Sequence, residues 1–304
     1  MKKLLSLFLV LVLTCSLAAC AGVEDNIIPP NADTNADTNA PQDETQSQPD
    51  TPAPSQDATI EETVLLDENG IKITAKSLET DSLFGAELKL LIENNTDQNL
   101  TFQSANTSVN GYMVGTMMSV DVAAGKKAND SLTFMQSDLD LCNIETIADM
   151  EFSFRVFHTD DWSDYMEDKA VKLQTSAAAT YTYTYDDSGT LAYDDNGIKI
   201  VVKGLSPDSS IIGDGLVVYL YNSSDAALCV QTRECSVNGF MIDPLFSQDV
   251  GAGKHSISTI TFMDADLEEN AITEITEVEL SFHIFDAETW MDAVDTDPIT
   301  LNFS

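Results

Sequence analysis

The chain repeats itself. The pentapeptide "NGIKI" stands at Asn69 to Ile73 and again at Asn196 to Ile200. Sliding the chain by 128 residues brings "VNGYM" (109–113) onto "VNGFM" (237–241), "LTFM" (132–135) onto "ITFM" (260–263) and Trp162 onto Trp290. Between Leu88 and Ser176, 31 of 89 positions are identical to their partners. One extra residue in the second copy, between Ile200 and Leu216, explains why the pentapeptide repeats at 127 rather than 128. Two long copies mean tandem domains; a solenoid uses shorter units and at least three of them.

Each copy reads as β. "IKITAKSL" and "IKIVVKGL" alternate apolar and polar residues, as do "MEFSFRVF" and "VELSFHIF". "AELKLLIEN" and "GLVVYLYN" are apolar runs of strand length ending in a turn-forming Asn. Asn110-Gly111 and Asn238-Gly239 lie between strand-like runs, the pair that two-residue hairpins favour. Only "SDLDLCN" and "ADLEEN" resemble a helical turn. About seven strands in roughly 110 residues predict an all-β chain of two antiparallel sandwiches. The pattern resembles immunoglobulin-like domains of envelope lipoproteins. The Cys…Trp…Cys framework of antibody domains is absent, so the resemblance implies the architecture alone. The copies are expected at 63–178 and 179–304. In "ATYTYTYDDSGTLAYDDNG" (179–197), alternation and the Asp-Asp-Ser-Gly turn predict a hairpin opening the second copy after a short connection near 176–179.

The N-terminus has the layout of a secretory signal over residues 1–19: Lys2 and Lys3, then an apolar run from Leu4 to Leu13, too short for a membrane span. Leu17-Ala18-Ala19-Cys20 resembles the lipobox of bacterial lipoproteins. That resemblance implies cleavage before Cys20, a lipid on its sulfur, and a protein held on the extracytoplasmic face of the cell membrane, or of an outer membrane where the cell has one. Residues 20–62 join this cysteine to the first copy. From residue 21 onward they hold ten acidic residues and no basic one, with recurrent Pro and no aromatics. Such a segment buries too little apolar surface to fold and is expected to be a disordered tether.

With 14 basic and 51 acidic residues the formal charge is -37. That charge repels phosphates and excludes nucleic acid as a partner. No catalytic or phosphate-binding motif is present, the three histidines have no zinc spacing, and no acidic run has the spacing of a calcium loop. No cofactor or metal is expected. Cys142, Cys229 and Cys235 align with Asn270, Thr101 and Thr107, so no bridge is common to the copies. Free buried thiols are expected, since residues 229 and 235 of one strand lie about 20 Å apart.

The expected role is a non-enzymatic binding or envelope-structural module with a protein or glycan partner. The alternative is an envelope hydrolase acting on wall polymers through carboxylates. Candidate contact residues are Tyr112, Met113, Phe240 and Met241, which follow the Asn-Gly turns, and Trp162 and Trp290, which follow the last strong strand of each copy. Two consecutive large apolar residues after a turn face opposite sides of the strand, so one is either covered by a neighbour or free for a partner.

Overall fold

The computed structural model describes residues 58–206, 213–291 and 293–303. The expected signal segment, Cys20 and the expected tether as far as residue 57 lie outside the described residues.

Copy 1 contains β1 (Thr63–Glu68), β2 (Ile71–Ser82), β3 (Gly85–Asn94), β4 (Leu100–Val109), β5 (Tyr112–Met113), β6 (Thr116–Met117), β7 (Ser119–Val122), β8 (Lys127–Met135), α1 (Gln136–Leu141), β9 (Asp149–His158) and β10 (Asp164–Gln174). One sheet runs β1-β2-β3-β8-β6; the facing sheet places β4 between β9 and β7, with β10 outside β9. Copy 2 repeats the plan with β11 (Thr190–Asp195), β12 (Ile198–Leu205), β13 (Gly213–Asn222), β14 (Leu228–Val237), β15 (Phe240–Met241), β16 (Ser247–Val250), β17 (His255–Met263), α2 (Asp264–Glu269), β18 (Glu277–Asp286), β19 (Val294–Asp295) and β20 (Ile299–Asn302). Its sheets are β11-β12-β13-β17 and a group in which β14 pairs with β15, β16 and β18, while β18 also pairs with β19 and β20. Apart from one bridge between the copies, described below, the pairings are antiparallel. The chain is all-β, as its alternation requires.

The period-2 pattern fills the cores. Ile71, Ile73, Leu88, Leu90 and Ile92 of one sheet and Phe102, Phe152, Phe154 and Val156 of the other are almost wholly buried. Ile200, Leu216, Val218, Leu220, Val230, Leu280 and Phe282 do the same in copy 2. Each such side chain contributes about 1.5–3 kcal/mol by leaving water. All four Asn-Gly pairs turn hairpins with both residues at positive φ: Asn69 and Asn196 at 52° and 50°, Asn110 and Asn238 at 50°, each followed by a glycine near 80°. The repeated pentapeptide is therefore a hairpin turn plus the start of the strand it launches. The Asn that closes each apolar run has no exposed surface: Nδ2 of Asn94 donates to the carbonyls of Gln98 and Val122, and that of Asn222 to Ala226 and Val250, all at 2.8 Å. The copies diverge in their last strand. β10 is continuous, whereas Pro298 sits between β19 and β20, where a residue lacking an N–H cannot serve a ladder.

Two expectations need correction. Residues 58–62, assigned to the tether, belong to the folded body: Ala58 is buried, and Thr59 accepts the backbone N–H of Ser176 at 2.8 Å. Nor does 179–197 form one hairpin. Residues 181–188 have no strand partner, and only Thr190–Asp195 pairs, with β12. The alternating tyrosines satisfy a strand pattern, but their rings contact one another in a row, with Tyr185 stacked on His255 of copy 2 and Tyr183 bonded to Asp149 of copy 1.

The copies are joined by more than this strap. Tyr112 of β5 bridges His255 of β17 in parallel, and the His255 N–H donates to the Gly111 carbonyl at 2.9 Å. This single bridge runs β10-β9-β4-β5 on into β17-β13-β12-β11, so one sheet passes through both copies.

Candidate functional site

The hairpin residues Tyr112-Met113 and Phe240-Met241 follow identical turns and meet opposite fates. Tyr112 is buried at 5% exposure and Met113 packs against the core of copy 2. Phe240 and Met241 are 47% and 71% exposed. Tyr112 is therefore withdrawn as a contact residue for an outside partner, and half-buried Met113 with it; the neighbouring copy covers them. Phe240 and Met241 remain, with exposed Leu245 close by in sequence.

What covers Tyr112 is an aromatic cluster. The His255 ring lies between Tyr185, at 3.6 Å and 12°, and Tyr221, at 4.4 Å and 13°. Tyr112 meets Tyr185 edge-on at 5.3 Å, and the Tyr219 hydroxyl is 2.7 Å from His255 Nδ1. Burial pushes His255 down to about 4, helped by the Lys254 charge beside it, so the ring is neutral at pH 7. Burial likewise pushes Tyr112 up to about 12 and raises Tyr219 and Tyr185. Strap residue Tyr183 donates to the Asp149 carboxylate, which burial holds above its ordinary range. Beside it Glu151 receives Lys254 of copy 2 at 3.0 Å and Lys172 at 3.1 Å. Burial works against the Glu151 charge, but the two ammonium groups outweigh it and keep that carboxyl low. Beyond the tyrosines, Asp186 is held well below its ordinary range by Lys203. These interactions are those of a fixed joint.

Sequence reasoning missed this joint, although a signal was present. On the outer face of the β13–β17 sheet, copy 2 carries Tyr219, Tyr221, His255 and Ile257 where copy 1 has Leu91, Glu93, Lys127 and Asn129. Apolar and aromatic residues on the side that should be polar marked a covered face.

Trp162 and Trp290 are both exposed, at 69% and 73%. Their backbones lie at φ 62° and 60°, a region that costs a bulky residue about 1–2 kcal/mol. Each backbone N–H donates to the carbonyl four residues back, His158 or Asp286, at 2.9 Å. One ring face stacks on a buried phenylalanine: Phe157 at 5.1 Å and 19°, Phe285 at 5.5 Å and 24°.

The three described cysteines are free and buried, and burial pushes Cys142 and Cys235 up to about 12 and Cys229 to about 11, so they are unreactive thiols at neutral pH. Cys229 and Cys235 share strand β14. Among the described residues no three His, Cys, Asp or Glu side chains converge as a metal site, and no helix is long and apolar enough to cross a membrane.

No protein-family model and no curated protein matches the chain. Among solved structures it is similar to the crystal structure of the YadV chaperone, at 10% identity over 71% of this chain and 92% of that chain, with a TM-score of 0.24. A superposition that loose carries no argument about what this chain does.

Proposed function

We propose that the protein is a lipoprotein, anchored through Cys20 on the extracytoplasmic face of the membrane, that works as a non-enzymatic binding module. The observation that carries this reading is the unequal treatment of one duplicated element. The apolar hairpin end of copy 1 is consumed by copy 2, while the same element in copy 2 stays open at Phe240 and Met241. Large solvent-facing apolar groups held on a rigid framework are the usual anchors of a protein contact. Contacts through Tyr112, His255 and Lys254 join the copy that carries this hairpin to copy 1. The signal sequence and the Leu17-Ala18-Ala19-Cys20 pattern support the anchor.

Two measurements test the proposal. Cys20→Ser should abolish fatty-acid labelling and release the protein from the membrane; equal labelling of the variant removes the anchor. Partners captured from the native envelope should be lost on Phe240→Ser or Met241→Ser at an unchanged melting temperature. Unaltered capture by both variants would remove the hairpin as the contact.

A further inference from the structure

Trp162 and Trp290 are the only tryptophans in the chain. They occupy matching turns whose other residues differ: "HTDDWS" from 158 and "DAETWM" from 286. The indole, the left-handed backbone and the phenylalanine beneath it are what the turns share. A glycine or asparagine would suit that backbone better. The inner ring face covers phenylalanine, and the outer part of each indole is left in water.

The surroundings choose the ligand. Asp160 and Asp161 precede Trp162, and the Asp161 carboxylate accepts the Ser163 hydroxyl at 2.6 Å and its N–H at 3.0 Å. Glu288 lies two residues before Trp290, and Asp286 accepts the N–H and hydroxyl of Thr289 at 2.7 and 2.8 Å and the N–H of Glu288 at 3.0 Å. These bonds keep both carboxylates ionised. An electron-rich ring beside fixed negative charge is the setting that attracts organic cations, and tryptophan is the best ring for it. Copy 1 already shows the chemistry: the Arg155 guanidinium lies over Phe157, 5.5 Å from its centroid, on the ring that Trp162 stacks against. The excess of acidic over basic residues draws a partner of the same sign of charge as that arginine.

We infer that Trp162 and Trp290 are docking rings, one in each copy, for the guanidinium or ammonium groups of a basic peptide segment. The inference rests on the reading of this chain as a binding module and names a ligand class for it, at a surface separate from the Phe240–Met241 hairpin.

The test is a titration of the full chain with hexa-arginine, read by indole emission, to which these two residues alone contribute. A saturable change is expected, with affinity falling several-fold as salt rises from about 50 to 200 mM. By calorimetry, Trp162→Ala and Trp290→Ala should each weaken binding about three-fold at their own site and the double variant at both, whereas Trp→Tyr at both positions should retain most of it. Unchanged affinity in the double alanine variant would reduce the effect to general attraction by an acidic surface and overturn the inference. Saturation by a neutral oligosaccharide but not by hexa-arginine would overturn it too, in favour of a glycan platform. Neither result touches the hairpin reading, because partner capture dependent on Phe240 is scored separately.

Discussion

Copy 1 and copy 2 share a fold, their turns and their buried asparagines, yet they differ where one meets the other. The outer face of β3 and β8 in copy 1 is mostly polar, with Leu91 and Asn129 beside Glu93 and Lys127, which pair as ions. The same face in copy 2 is built from Tyr219, Tyr221, His255 and Ile257, and these pack into or against the core of copy 1. A duplicated domain thus gains a neighbour by changing a few solvent-side positions of one sheet while its interior pattern is kept.

Writing the copy 1 face into copy 2 should disturb the molecule most. Tyr219→Leu, Tyr221→Glu, His255→Lys and Ile257→Asn together should part the copies, turning one calorimetric transition into two. A single unchanged transition would show that the joint does not depend on the aromatic face. Next in size is the contrast between the hairpins. Tyr112→Ser should cost about 3–5 kcal/mol, as for a deleted core aromatic, and Phe240→Ser less than about 1 kcal/mol. Chemical denaturation measures both, and equal losses would erase the distinction.

Acid should act on the joint through His255. Its folded value, about 4, lies below the ordinary 6.5, so the folded state binds fewer protons than the unfolded one between those values. Stability from keeping the ring neutral is full above about pH 6.5 and is lost as pH falls towards 4, by up to about 3 kcal/mol. His255→Phe, which retains an aromatic ring between Tyr185 and Tyr221, should flatten stability against pH in that window relative to the unaltered protein. An identical slope would remove His255 as the cause. Burial pushes the hydroxyls of Tyr112, Tyr185 and Tyr219, which pack around it, up from their ordinary range and further from this window.

The smallest expected contrast concerns the turn asparagines. Oδ1 of Asn110 accepts the N–H of Ala148 at 2.8 Å, and Nδ2 donates to Thr146 at 2.7 Å; Asn238 repeats this with Thr276 and Glu274 at 2.9 and 2.8 Å. Asn110 is buried and Asn238 only partly so. Asn110→Ala should therefore cost about 2–3 kcal/mol and Asn238→Ala about 1 kcal/mol, because water can replace the lost partner only at the second site. Equal melting temperatures would contradict that.

The duplication, the alternating strands, the Asn-Gly hairpins and the short helical turns after β8 and β17 are all legible in the amino-acid order. Each of these depends on residues close together in the chain: the alternation at 71–75 follows directly on the Asn69-Gly70 turn, and Asn110-Gly111 suits the two positive φ values of its hairpin. The same order also pointed to both tryptophans and both apolar hairpins as candidates. Which hairpin is covered, and that both indoles are open, is legible only once the chain is folded, because exposure depends on what another part of the chain brings near. The tyrosine strap shows the same limit. "YTYTY" at 181–185 has the period of a strand, but a strand needs a ladder partner, and none reaches it; the rings find His255 and Asp149 instead. Local pattern fixes backbone preference, while the energy that selects among partners comes from surface buried between segments distant in sequence.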